Sequence, residues 1–117
     1  MLKFLKKINN NFLNSLNGIK EALKEHSFIS EIYFGFFLFV YLFNFNISLN
    51  YKLVIIFAYI ILLVTEIINT SIEKICNKIT TKKDNEIRII KDLASAAVFI
   101  VLLFLITILS ITIYQLF

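Results

Sequence analysis

Three apolar stretches, residues 32–43, 53–64 and 96–117, leave this chain few ways to fold. A chain of 117 residues is long enough for one domain only, and small globules bury a modest share of their surface. The hydrophobic fraction of 59% exceeds the roughly 45–50% of ordinary soluble domains. Lipid is the solvent that accommodates so much apolar surface. With no Pro and only two Gly, nothing forces breaks in long helices. The expectation is an all-α integral membrane protein, a single membrane-embedded domain over residues 1–117.

Residues 1–25 read as an amphipathic helix lying on the membrane surface. Leu5, Ile8, Phe12, Leu16, Ile19 and Leu23 recur at spacings of three and four and form one stripe. Lys3, Lys6, Lys7, Asn10, Asn14, Asn17, Glu21 and Lys24 lie away from it, the pattern of an interfacial helix. The plainer reading is a helix that packs its stripe on the rest of the protein. Three transmembrane helices are then predicted over 28–49, 51–79 and 87–117, each long enough to span. Asn44, Asn46, Ser48 and Asn50 form a polar break between the first two, and residues 80–86 make a polar turn before the third. The first 25 residues lack a continuous apolar core and a small-residue cleavage site, so no cleaved signal peptide is expected.

Charge sets the orientation. Of twelve Lys and Arg, eleven lie in residues 1–24 or 74–91, and only Lys52 lies between the first two spans. The positive-inside rule places the N-terminus and the 80–86 turn in the cytoplasm of a multi-pass protein of the cell (inner) membrane. Tyr33, Tyr51 and Tyr114 near the span ends fit an aromatic belt. The net charge of +4 is accounted for by these flanks and does not call for nucleic acid. A lone cysteine, Cys76, and a lone histidine, His26, exclude a disulfide within the chain and a Cys/His metal cluster. Cys76 points away from the polar stripe described next and reads as packing; His26 reads as interfacial.

Glu66 and Glu73 are the unusual residues, because acidic groups within a spanning helix are costly and usually functional. At about 100° per residue, Glu66, Asn69, Thr70, Glu73 and Asn77 share one narrow arc, while Ile68, Ile72, Ile75 and Ile79 take the other side. A solvated helix end explains Lys74 and Lys78 but not Glu66, which follows directly on an apolar run. Arg88, Asp92 and Ser95 share a face of the third span, with Lys91 one position to the side, and Ala94, Ser95, Ala96 and Ala97 are small enough for close helix approach. Glu25 and Glu31 sit at the same depth, where the first helix meets the first span. Such a cluster supplies what phosphoryl transfer to a lipid alcohol needs. Paired carboxylates hold Mg²⁺ together with phosphate oxygens, a further carboxylate accepts a proton from the hydroxyl, and a Lys neutralises phosphate charge. There is no Walker-type glycine-rich loop and no protein-kinase signature.

The run Glu66-Ile67-Ile68-Asn69-Thr70-Ser71-Ile72-Glu73 resembles the signature of the small prokaryotic diacylglycerol kinases, a family that includes undecaprenol kinases. Lys91-Asp92-Leu93-Ala94-Ser95-Ala96-Ala97-Val98 resembles that family's second block at the expected separation, and the resemblance covers the whole chain. It implies a homotrimeric bundle with sites shared between protomers, transferring the γ-phosphate of MgATP to the hydroxyl of diacylglycerol, or alternatively of undecaprenol. It implies Glu66 as general base and Asn69 as an orienting catalytic residue. Glu25 and Glu73 would hold Mg²⁺ and the nucleotide phosphates, Lys91 and Asp92 would contact the nucleotide, and Lys82, Lys83 and Asp84 would border it. Glu31 and Ser95, with Glu66, would line the lipid side. One departure stands out: the family usually ends its signature in Val-Asp, where this chain has Cys76-Asn77. Asn77 keeps hydrogen-bonding capacity and loses a negative charge.

Two readings from other classes remain open at this point. A non-catalytic membrane scaffold is favoured only by Asn77. An ion or proton pathway through Glu66 and Glu73 meets the objection that residues 53–64, in the outer half of the same helix, carry no polar stripe.

Overall fold

In lipid a backbone must satisfy its own hydrogen bonds, and a helix is the local way to do so. The computed structural model describes residues 1–117 and is entirely helical. Four helices follow in order: α1 (Leu2–Ala22), α2 (His26–Asn44), α3 (Leu49–Ile79) and α4 (Asn85–Leu116). The last three are each long and apolar enough to cross a membrane.

The boundaries follow local chemistry. After Ala22 the chain tightens, with Lys24 and Glu25 donating their backbone N–H groups to the carbonyls of Glu21 and Ala22. Glu25 is extended and starts α2. α2 ends at Asn44, whose side chain donates back to the Val40 carbonyl at 2.7 Å. The non-helical connection is therefore residues 45–48, and Leu49 and Asn50 belong to α3 rather than to the first span and the turn. α4 begins two residues before the expected Ile87, because the Asp84 carboxylate accepts the Ile87 N–H at 2.9 Å and caps the helix.

Hydrogen bonds between the helices fix how the spans lie beside one another. α3 and α4 are antiparallel, pinned by Lys91 to Asn77 at 2.7 Å near one end and by a long 3.4 Å contact of Gln115 with Tyr51 near the other. Tyr41 on α2 meets Thr112 on α4 at 2.9 Å. Carried along the helices, this register puts Glu25, Glu73 and Ser95 at one level and Glu31 and Glu66 at a second, deeper one. Glu25 and Glu31 therefore do not share the depth expected from the sequence, because Glu25 caps α2 and Glu31 lies six residues along it.

The apolar core lies on the side of the second level away from Asn77. Leu38, Leu42, Ile47, Ile55, Ala58, Leu62 and Leu105 are buried together there. Only 13 of 117 residues are buried at all, so nearly all of the apolar surface is left for lipid or other protein to cover. Cys76 is buried, as its reading as packing requires, but it lies two turns beyond Asn69 on the same buried face of α3 and so does not point away from the polar stripe, whereas Ile68, Ile75 and Ile79 face outward. The small residues divide. α4 does meet α3 at its charged end, yet Ser95, Ala96 and Ala97 are exposed, so they do not mediate that contact. α1 packs on the rest of the chain only through Ala22, and its stripe of Leu5, Ile8, Phe12, Leu16, Ile19 and Leu23 is exposed. The 50 × 48 × 21 Å extents match a bundle of long helices with α1 projecting to one side.

Gly35 is required where α2 passes α3. A Cβ at this position would overlap the hydroxyl and ring of Tyr59, whose hydroxyl donates to the Glu31 carbonyl at 2.9 Å. Gly35→Ala is expected to lower stability in detergent by about 1–3 kcal/mol, the usual range for overpacking. In a Tyr59→Leu background the same change should be close to neutral. Equal losses in the two backgrounds, read from thermal unfolding, would refute this account of Gly35.

Candidate active site

α3 is 31 residues long, about 46 Å at 1.5 Å per residue, against a hydrocarbon layer of about 30 Å. One end must leave the lipid. The polar arc from Glu66 to Asn77 occupies the end nearer the 80–84 turn, so the helix carries its site from an apolar depth out to the interface. Glu66 precedes Glu73 by two turns, about 10 Å along the axis.

At the deeper level the site is buried and short of partners. Glu66 is 5% exposed and Asn69 8% exposed. The Asn69 Oδ1 atom and the Glu31 Oε2 atom are buried with no hydrogen-bond partner. Glu31 and Glu66 lie close enough for their charges to interact. Buried polar atoms are normally paired, and an unpaired acceptor in a low-dielectric surrounding is unfavourable by roughly 1–3 kcal/mol. Two buried acceptor atoms without a donor, next to the buried Glu66, suit an incoming donor such as a hydroxyl.

At the next level Glu25 reaches α3. Its Oε1 atom accepts from Lys74 Nζ at 3.0 Å, one residue beyond Glu73. Glu73 itself is exposed. Glu21 is held mainly by Lys24, which donates to its Oε1 at 2.6 Å and keeps its carboxyl below the usual range, with a smaller contribution from the charge of Lys74. No three His, Cys, Asp or Glu side chains converge in a way that would cage a metal.

Beyond this level, between the α3–α4 turn and the first turns of α4, lies a cleft of about 610 Å³ lined by Lys82, Lys83, Asp84, Asn85, Ile87, Arg88, Lys91 and Asp92. Its size falls within the usual range of small-molecule sites, but its lining is polar where most such pockets are apolar. All five residues expected from the sequence to border or contact nucleotide outside the carboxylate pair, Lys82, Lys83, Asp84, Lys91 and Asp92, share this one cavity. Glu25, Glu73 and Glu31 are outside it. Ser95 lies one turn of α4 beyond Lys91, exposed.

The chain is matched by the family model described as prokaryotic diacylglycerol kinase over residues 13–113. It belongs to that family. A search of curated proteins found no match. Membership makes this a multi-pass membrane protein of a lipid kinase family, with a phosphoryl donor and a lipid as its substrates.

Lys74, Tyr59, Asn85 and Ile87 touch or line the site without being expected there from the sequence. Arg88, which the sequence places on one face with Asp92 and Ser95, lines the cleft one helical turn before Lys91 and Asp92. Tyr59 lies seven residues before Glu66 on the same face, yet nothing in a uniformly apolar run reveals that this face meets α2. Replacing Asn69 by Leu removes an orphaned acceptor, so Asn69→Leu is expected to raise stability by about 1 kcal/mol in detergent. A clear loss of stability would mean that Asn69 finds a partner in the assembled protein.

Proposed function

We propose that this protein transfers the γ-phosphate of MgATP to the hydroxyl of diacylglycerol, giving phosphatidic acid and ADP. The observation that carries this reading is the buried Glu66 with the buried, unpartnered oxygens of Asn69 and Glu31, set two helical turns inside a level with two further carboxylates. Its natural complement is an alcohol delivered from the lipid. Glu66 accepts the hydroxyl proton as the oxygen attacks the γ-phosphorus. The bond between that phosphorus and the β–γ bridging oxygen breaks, and ADP leaves. Asn69 orients the reacting groups, and Glu31 and Ser95 line the lipid path.

Glu25 and Glu73 are the residues that would hold Mg²⁺. Two carboxylates suit an ion that arrives with its nucleotide, since Mg²⁺ characteristically binds through one or two carboxylates with phosphate oxygens and water completing its shell. The ion would supply positive charge that neutralises the phosphates. Glu25 is paired with Lys74, so holding the ion would exchange one cationic partner for another. Lys82, Lys83, Asp84, Lys91 and Asp92 receive the nucleotide in the cleft.

The assembly we infer is a homotrimer in the inner membrane, with the N-terminus and the 80–84 turn cytoplasmic and α1 along the membrane surface. The exposed stripe of α1 and the exposed small residues of α4 support it, because both present faces that the single chain leaves uncovered.

Purified protein supplied with MgATP should phosphorylate diacylglycerol, with undecaprenol assayed in parallel as the competing acceptor. No product from either lipid would remove the kinase reading, and product from undecaprenol alone would change the acceptor. Glu66→Gln keeps the shape and loses the base, so it should lower kcat by about 10²-fold or more while the oligomer stays intact. Residual activity near wild type would remove Glu66 as the base. Glu73→Gln should raise the Mg²⁺ concentration needed for half-maximal rate; an unchanged metal response would argue against its ligand role.

A further inference from the structure

Arg88 and Lys91 stand three residues apart on α4 and both line the cleft, so their side chains are neighbours on the helix surface. Each is held by a neutral group. Arg88 Nη2 donates to Asn85 Oδ1 at 2.8 Å, within the first turn of α4. Lys91 Nζ donates to Asn77 Oδ1 at 2.7 Å, across from α4 to α3. Carboxylates are close by, since Asp84 and Asp92 line the same cavity, yet neither forms an ion pair with these cations. The Asp84 carboxylate is instead occupied as the cap of α4.

A carboxamide oxygen and a carboxylate both accept a hydrogen bond, and both fix the direction of a cation. Only the carboxylate cancels its charge. Holding Arg88 and Lys91 by amides therefore orders two positive groups and leaves their field intact. Counting the lining residues, Lys82, Lys83, Arg88 and Lys91 face Asp84 and Asp92, a surplus of positive charge inside one cavity. A merely solvated helix end would give no reason for both cations to be held by neutral acceptors while the Asp92 carboxylate, in the same cavity, pairs with neither.

We infer that Asn77 and Asn85 are positioning residues that aim Lys91 and Arg88 at a polyphosphate without neutralising them, and that Arg88 is a second phosphate-binding cation of this cleft. This rests on the kinase reading in taking the polyphosphate to be the triphosphate of ATP. Arg88 suits the role because its planar fork can grip phosphate oxygens in pairs, whereas Lys91 acts as a point charge.

The test places a carboxylate where each amide stands. Asn85→Asp adds negative charge at the N-terminus of α4, where the helix dipole favours it, and Asn77→Asp gains an ion pair with Lys91, so both variants should fold. Each is expected to raise the KM for ATP by about fivefold, the upper range for a partly exposed charge pair, with the effect falling on KM rather than kcat. Equilibrium binding of inorganic tripolyphosphate to the full chain in detergent should weaken by the same factor. Arg88→Gln should weaken it too, and Arg88→Lys should restore part of the loss. For either Asp variant, unmoved tripolyphosphate binding, or a loss confined to kcat, overturns the assignment for that pair. The two readings fail separately. A wild type that binds tripolyphosphate, and less well in the Asp variants, but yields no phospholipid keeps this inference and loses the kinase reading. A wild type that turns over, with variants unmoved, does the reverse.

Discussion

A carboxyl group held at 5% exposure, Glu66, is the constraint around which the rest of this chain is arranged. Left alone in hydrocarbon it would be strongly unfavourable. The chain sets it on a helix that continues toward water through Asn69, Glu73 and Asn77, so the polar arc is continuous to the interface. On its other side the register of α2, α3 and α4 is fixed by contacts far from the carboxyl itself. Leu38, Leu42, Ile55, Ala58, Leu62 and Leu105 pack tightly, and Tyr41 with Thr112 and Tyr51 with Gln115 tie the helices there. The packed half can thus hold the depth of Glu66 while the polar half stays open.

Much of this architecture is legible from residue order. Apolar runs without Pro specify the helices, and the 3.6-residue period brings Glu66, Asn69 and Glu73 onto one arc. Even the pairing of Asn77 with Lys91 is implicit, because the two are equidistant from Asp84 in the turn between α3 and α4. What residue order does not carry is the rotation of each helix about its axis. Ile55 and Leu62 are buried, Ile68 and Ile75 are exposed, and all four are apolar. In water the exposed side would be polar and would give the rotation away. In lipid the solvent is as apolar as the core, so both faces read alike. The fit of Tyr59 over Gly35 depends on that rotation. So does the exposure of Ser95, Ala96 and Ala97, which a reading from small residues alone turns toward α3.

The same ambiguity makes the polar residues the better guide in a chain of this kind. An apolar position is compatible with core, lipid or a second copy, but a polar one has to be accounted for. Tyr41 and Thr112 account for each other, and Ser48 and Asn46 lie in the connection outside the helices. Glu31 and Asn69 are left over with buried acceptors. Residues that remain unexplained after every partner within the chain has been counted are the ones that point to a ligand, which is why this end of α3, and not the equally long apolar end, reads as the site.

The two ends of the proposed reaction then sit in different solvents. The cleft at the α3–α4 turn is charged and open to water, while Glu66 lies deeper, about 16 Å from the level of Asn77 and Lys91 along the α3 axis. A phosphoryl donor held in the first and an alcohol held at the second do not touch unless the terminal phosphate extends inward from the cleft. The level at which they can meet is that of Glu25 and Glu73, between the two. Carboxylates there would repel a bare triphosphate, so the proposed reaction calls for a cation at that level, where Lys74 pairs with Glu25. In the proposed reaction a cationic mouth, an acidic middle that would take phosphate together with its metal, and a buried carboxylate as base would form a sequence in which each step favours the lipid hydroxyl over water as the acceptor.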